Sequence, residues 1–154
     1  MRFEFETELV NPIASHNQSR YNRYGQVYKS KKEYAYIHEL EYHLMAYIKQ
    51  LGNFEKYGEV PIKVDYIFGF PPSNSWTKKR KQQALNHEIY PVEHNKGDWD
   101  NLIKSAQDRL NSLIITDDCF IVDGRGIKIF TPKPYIKIVI QEMSEVKDDI
   151  RCQG

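Results

Sequence analysis

The chain has 154 residues, with 22 basic and 21 acidic side chains giving a net charge of +1. Hydrophobic residues make up 40% and aromatics 13%, with only 8 Gly and 7 Pro, which excludes a collagen-like or low-complexity chain and leaves enough apolar mass for a core. No apolar run approaches the roughly 18 residues that cross a bilayer, and the near-balanced charge neither demands nor forbids a polyanionic partner.

The length predicts one domain over 1–154, with a charged tail from about 144 to 154. Residues 2–9 alternate, with Phe3 and Phe5 between Glu4, Glu6 and Glu8, and predict a short strand with one wet face. This start lacks the apolar stretch of a secretory signal, so a cytoplasmic protein is expected. Residues 11–29 keep no period and read as an extended loop or irregular hairpin carrying Arg20, Arg23 and Lys29 among Tyr21, Tyr24 and Tyr28. Ser30 with Glu33 forms a capping box, and a helix should run to about Leu51, where Gly52 stops it.

Val60, Ile62, Val64, Tyr66, Phe68 and Phe70 alternate strictly and predict a strand ended by Pro71-Pro72. A basic segment follows, Ser73 to Lys81, then a helical stretch to about Leu85 and a loop over 86–97. A second strong helix begins at Asp98 or Asp100. Its apolar stripe is Leu102, Ile103, Ala106, Leu110, Leu113 and Ile114, about four turns long. Strands are expected at about Cys119–Val122, Ile127–Phe130 and Tyr135–Met143, with a turn at Asp123–Gly126. The order of elements predicts an α+β fold, a two-layer arrangement of helices on a single mixed, partly antiparallel sheet whose last strands are joined as hairpins.

Cys119 and Cys152 are too few for a disulfide framework and are not spaced as zinc ligands, so they read as reduced thiols. His38 and His43 are five apart rather than four, which turns them off one helical face and excludes a zinc-protease helix. Glu93 and His94 read as loop residues. No Ser-His-Asp or Cys-His arrangement and no phosphate-binding glycine loop occurs.

The chemistry lies in Asp98-Trp99-Asp100-Asn101-Leu102-Ile103-Lys104, followed by Asp117-Asp118. Asp98 and Asp100 are two apart in an extended lead-in and would point the same way, with Asp100 able to cap the helix. Lys104 lies one turn on, beside Asp100. Clustered carboxylates need a positive charge between them, and all-oxygen donors suit Mg²⁺ or Mn²⁺. Such a set can bind a phosphate oxygen and activate water for in-line attack, with the lysine neutralising developing charge. Asp117 and Asp118 leave the far end of the helix. They approach the first pair only if the returning strand runs back beside the lead-in. An EF-hand does not fit, because Ile103 and Arg109 stand where its glycine and last acid belong.

The run Asp98-Trp99-Asp100-Asn101-Leu102-Ile103-Lys104, then Asp108, then Asp117-Asp118, resembles the RusA family of Holliday junction resolvases. The upstream segment Phe70-Pro71-Pro72-Ser73-Asn74-Ser75-Trp76-Thr77-Lys78-Lys79-Arg80 is similar to the proline, serine, tryptophan and polybasic stretch of many members. The likeness spans roughly 60–142, with a weaker echo at Asn17–Tyr28. One departure is Gly97, where many members carry Pro.

The resemblance implies a homodimeric, Mg²⁺-dependent endonuclease, with Mn²⁺ as an alternative ion, that nicks four-way DNA junctions symmetrically. By position, Asp98, Asp100 and Asp118 match metal-binding carboxylates and Lys104 a catalytic lysine, while Asn101 and Asp117 match motif positions of supporting role. Small members commonly resemble phage or prophage proteins. Arg20, Arg23, Trp76, Lys78, Lys79, Arg80 and Lys81 are expected to contact DNA, basic groups meeting phosphates and aromatics stacking on bases. Forks, flaps or RNA as substrate, and a non-catalytic DNA-binding or replication-accessory protein, are the alternatives.

Overall fold

The computed structural model describes residues 1–14, 20, 21, 23–28 and 30–146. The tail from 147 on, with Cys152, lies outside them, as do the side chains of Arg20, Tyr21 and Tyr28. Strand β1 is Arg2–Glu8, and β2 (Arg20–Tyr21) pairs with β3 (Val27–Tyr28) as a short irregular hairpin. Helix α1 is Lys31–Leu51, β4 is Ile62–Phe70, α2 is Lys78–Leu85, and α3 is Trp99–Leu110. Strand β5 is Ile121–Phe130 and β6 is Tyr135–Glu142.

The four long strands form one mixed sheet in the order β1-β6-β4-β5. β6 runs antiparallel to both β1 and β4, and β5 runs parallel to β4 at the edge. The α+β expectation holds. The period-2 residues Ile62, Val64, Tyr66, Phe68 and Phe70 all turn inward, as do Phe3 and Phe5 of β1 and Ile136, Ile138 and Ile140 of β6. Tyr36, Leu40 and Leu44 of α1 and Leu102, Ala106 and Leu110 of α3 complete one core with them.

Ser30 accepts a hydrogen bond from the Glu33 N–H, and Gly52 ends α1 at φ 74°. Glu39 of α1 ties the helix to the chain leaving β1. Its carboxylate accepts from the backbone N–H groups of Val10 and Asn11 at 2.7 Å each, and from the Asn11 side chain at 2.9 Å.

Four expectations are corrected. The basic segment is helical from Lys78, because Thr77 caps it by accepting from the Arg80 N–H at 3.2 Å. Helix α3 ends at Leu110, short of Leu113 and Ile114, since Ser112 adopts φ 68°, outside helical space. No turn interrupts 123–126: those residues pair with Lys63–Tyr66 inside β5, and a 3₁₀ turn at Asp118–Phe120 precedes the strand. Finally, β5 and β6 are not hairpin neighbours, because β4 lies between them. Their connection crosses over the end of β4 at Gly69. A Cβ there would stand 2.4 Å from Thr131 Oγ1 and 2.8 Å from Tyr135 Cβ.

Candidate active site

Helix α3 is pinned at its N-terminal end by two contacts to β5. The Lys128 ammonium donates to the Gly97 carbonyl at 3.2 Å, and Trp99 Nε1 donates to the Gly126 carbonyl at 2.8 Å. Gly126 leaves no room for a side chain: a Cβ would lie 2.7 Å from Ile103 Cδ1 and 3.0 Å from Trp99 Nε1. Gly97 takes φ 91°. A proline, fixed near −65°, cannot adopt that angle, so the approach to the helix follows a glycine-specific path.

The N-cap is Asp98, not Asp100. Its backbone is extended at φ −75°, ψ 142°, and its carbonyl accepts the Leu102 N–H at 3.0 Å. The Trp99 anchor starts the helix two residues earlier than an Asp100 cap would and places Asp100 in the first turn. Asp98 makes no side-chain cap bond, so its carboxylate is not committed to the helix. Asp98, Asp100 and Lys104 are exposed, and Asn101 is half-buried. Both carboxylates sit at the positive end of the helix dipole, which favours their charge.

Asp100, Lys104 and Gln107 follow at i, i+4 and i+7 and form one stripe along α3. At its lower end Gln107 Nε2 donates to Asp118 Oδ2 at 3.3 Å. Gln107, the partner of Asp118, is about 10 Å down the helix axis from Asp100, by the usual rise of 1.5 Å per residue. The parallel pairing of β4 and β5 accounts for the place of Asp118. It starts β5 beside the C-terminal part of α3 and brings its other end, at Gly126 and Lys128, to the lead-in. Among the described residues, no three Asp, Glu, His or Cys side chains gather closely enough to hold one ion.

Asp117 and Asp118 differ in use. Asp117 Oδ1 accepts the Cys119 N–H at 2.9 Å and caps the 3₁₀ turn. That bond holds its carboxyl below the usual aspartate range. Asp118 is exposed, with Gln107 as its side-chain partner. In donor chemistry the carboxylates of Asp98, Asp100 and Asp118 suit a hard divalent cation, though Asp118 also accepts from Gln107. Mg²⁺ usually keeps several waters and takes one or two protein carboxylates with substrate phosphates.

The basic residues stand on α2 and in the β2–β3 hairpin. Lys78, Lys79 and Arg80 are exposed in the first turn of α2, with no acidic residue there, and Lys81 is half-buried. Cations at the positive end of a helix are unfavourable on their own, and an anion between them removes that penalty. The Arg80 guanidinium lies 3.8 Å from the centre of the Trp76 ring, which stands edge-on to Phe130 at 5.3 Å. Arg23 covers the ring of Tyr24 at 4.9 Å.

His38 is exposed and stacks on Tyr34, while His43 meets Glu39 at 3.3 Å. Neither belongs to a metal cluster. Sequence reasoning missed Gln107, Lys128 and the anchoring role of Trp99. Only Gln107 left a signal, in its seven-residue spacing from Asp100.

A family model described as endodeoxyribonuclease RusA matches residues 10–141. A Bacillus subtilis (strain 168) protein named YqaN, described as uncharacterized, is 34% identical over 87 residues. That alignment covers 56% of this chain and 60% of YqaN. The described helices include none long and apolar enough to cross a membrane. Because the family model covers most of the sequence, including both acidic motifs and the basic helix, the chain belongs to the RusA endodeoxyribonuclease family.

Proposed function

We propose that this protein is a Mg²⁺-dependent endonuclease that resolves four-way DNA junctions by paired, symmetric phosphodiester hydrolysis in recombination and repair. The observation that carries the reading is the stripe on α3. An exposed carboxylate at the N-cap of a pinned helix, Asp98, precedes a stripe of a second carboxylate, an ammonium and a glutamine that holds a third carboxylate.

Asp98 and Asp100 are the residues that would hold the ion, Mg²⁺ or Mn²⁺, and Asp118, which stands apart from them beside Gln107, is the third carboxylate the site would have to recruit. When bound, such an ion would supply Lewis-acid polarisation of the scissile phosphate and would lower the pKa of an attacking water. Lys104, one turn from Asp100, neutralises charge that develops on the phosphoryl oxygens. Gln107 orients Asp118, and Asp117 shapes the turn that presents it. Lys128 and Trp99 hold the Asp98 end in place. Lys78, Lys79, Arg80 and Lys81, with Trp76, Arg20 and Arg23, grip the phosphate backbone. Two-fold symmetry of the junction suits a C2 homodimer, which sets two sites on opposing strands. The bacterial cytoplasm is the compartment this reading implies.

The test is nicking of a four-way junction with Mg²⁺, with EDTA, and by Asp100→Asn, alongside linear duplex, fork and RNA controls. The expected result is junction cleavage in the first case only. Equal activity in all three rejects the mechanism. Cleavage of forks or RNA in preference moves the substrate, and tight junction binding without any cleavage returns the non-catalytic binder.

A further inference from the structure

An open cleft of about 540 Å³ lies between α2 and the segment that leads to α3. Trp76, Thr77, Lys79, Arg80 and Gln83 line one side, and Ile89, Tyr90, Val92 and Glu93 the other. Tyr90 and Val92 are 50% and 82% exposed, an apolar cost with no intramolecular return. On the opposite wall Trp76 is edge-on to core Phe130, and the Arg80 guanidinium stands over its ring at 3.8 Å. That side therefore presents a guanidinium backed by an indole. Glu93 Oε2 is buried and has no hydrogen-bond partner. Glu93 as a residue is half-buried and is the one acidic side chain among those lining the cleft. Five residues after Glu93 comes Asp98.

We propose that this cleft is a nucleobase site: it takes one unstacked base of the DNA substrate, held flat between the Arg80 plane and Tyr90. The base presents its polar edge to the Gln83 amide and the Glu93 carboxylate, and its phosphate to Lys79 and Arg80. Each part matches nucleobase chemistry. Guanidinium and aromatic planes stack on any base, a carboxylate accepts ring and exocyclic N–H groups, and the amide of Gln83 can both donate and accept. A duplex arm cannot supply such a base without unstacking, whereas bases beside a branch point are already less constrained. The proposal rests on the reading that the chain acts on branched DNA. It adds a site that senses the branch point and sets the scissile strand beside Asp98.

The experiment is a cycle of protein and DNA changes, read as junction affinity in EDTA, where cleavage is off. Abasic nucleotides are placed one at a time along the strands flanking the branch point. The wild-type protein is expected to lose about 5- to 100-fold in affinity at one such position, the effect of removing a stacked base. Tyr90→Ala should show a similar loss on the intact junction and no further loss at that position. Glu93→Gln, which keeps shape, should weaken the intact junction and leave the abasic one unchanged. Equal binding of every abasic junction by the wild type overturns the proposal. So does an unaltered abasic penalty in Tyr90→Ala. Junction cleavage by the wild type with Mg²⁺ is scored separately. A cleaving enzyme with no abasic effect rejects the cleft alone, whereas an abasic effect without cleavage rejects the nuclease reading alone.

Discussion

Asp117 and Asp118 are neighbours with the same chemistry and different employment, and hydrogen bonds decide between them. Asp117 is spent on the Cys119 N–H, while Asp118 meets Gln107 on the side of α3 that carries Asp100 and Lys104. Asp98→Asn and Asp100→Asn are therefore expected to lower nicking steeply with little change in thermal midpoint, since both are exposed and hold nothing together. Lys104→Ala should cost about 10²- to 10³-fold in nicking rate, the usual effect of removing one group that stabilises developing charge. A gel assay at saturating Mg²⁺ measures both.

Glu39 gives a stability prediction with a defined sign. Partial burial works against its charge, but the N–H groups of Val10 and Asn11 outweigh it and hold the carboxyl below its ordinary value of 4.5. A lowered folded-state pKa adds stability that is fully present above that ordinary value and is lost as the pH falls through the folded one. Glu39→Gln should cost about 1–3 kcal/mol at neutral pH. The gap in melting temperature between the two proteins should close as the pH falls below about 4.5. A gap that persists at pH 3 would assign the loss to packing.

Among elements, α1 and β4 were legible because their periods are unbroken and their stops, Ser30, Gly52 and Pro71, are local. The β5 region was not, because Gly124-Arg125-Gly126 carries turn chemistry. What overrides it is long-range: Gly126 lies against Trp99 and Ile103 of α3, and Gly124 pairs with Val64, whose carbonyl a Cβ would meet at 3.0 Å. The position of Asp118 was illegible for the same reason, since it depends on which strand β5 joins and in which direction. The acids, the lysine and the basic run were legible as residue types, and Gln107 and Lys128 were not, because single polar residues show their role only through a partner.

Two predictions belong to elements. Changing Lys78, Lys79, Arg80 and Lys81 together to Ala should flatten the salt dependence of DNA affinity. For every phosphate that is no longer neutralised, the slope of log K against log salt falls by about 0.9, measured by titration at several salt concentrations. An unchanged slope would leave the run on α2 as a solvated face. Gly69→Ala should destabilise the protein by about 1–3 kcal/mol in urea unfolding, because its methyl group meets Thr131 and Tyr135 in the strand crossing.

For the whole molecule, α1 and α3 pack on one face of the sheet. The other face carries a groove of about 390 Å³ lined by Asp65, Ile67, Arg125, Ile127, Lys137 and Val139. The homodimer proposed above is checked by sedimentation equilibrium, where a mass of twice 18.3 kDa is expected. A monomer that still cuts both strands of a junction in one encounter would remove the need for symmetry. The insertion of β6 between β1 and β4 has a consequence for how the chain is made. β6 is synthesised after β1, β4 and β5 yet lies inside the sheet, so Phe3, Phe5 and the alternating face of β4 wait without their neighbour until Tyr135–Glu142 has been made. Assembly of the sheet is thus a late, nearly single event, and a nascent chain stalled before Tyr135 should remain fully open to protease.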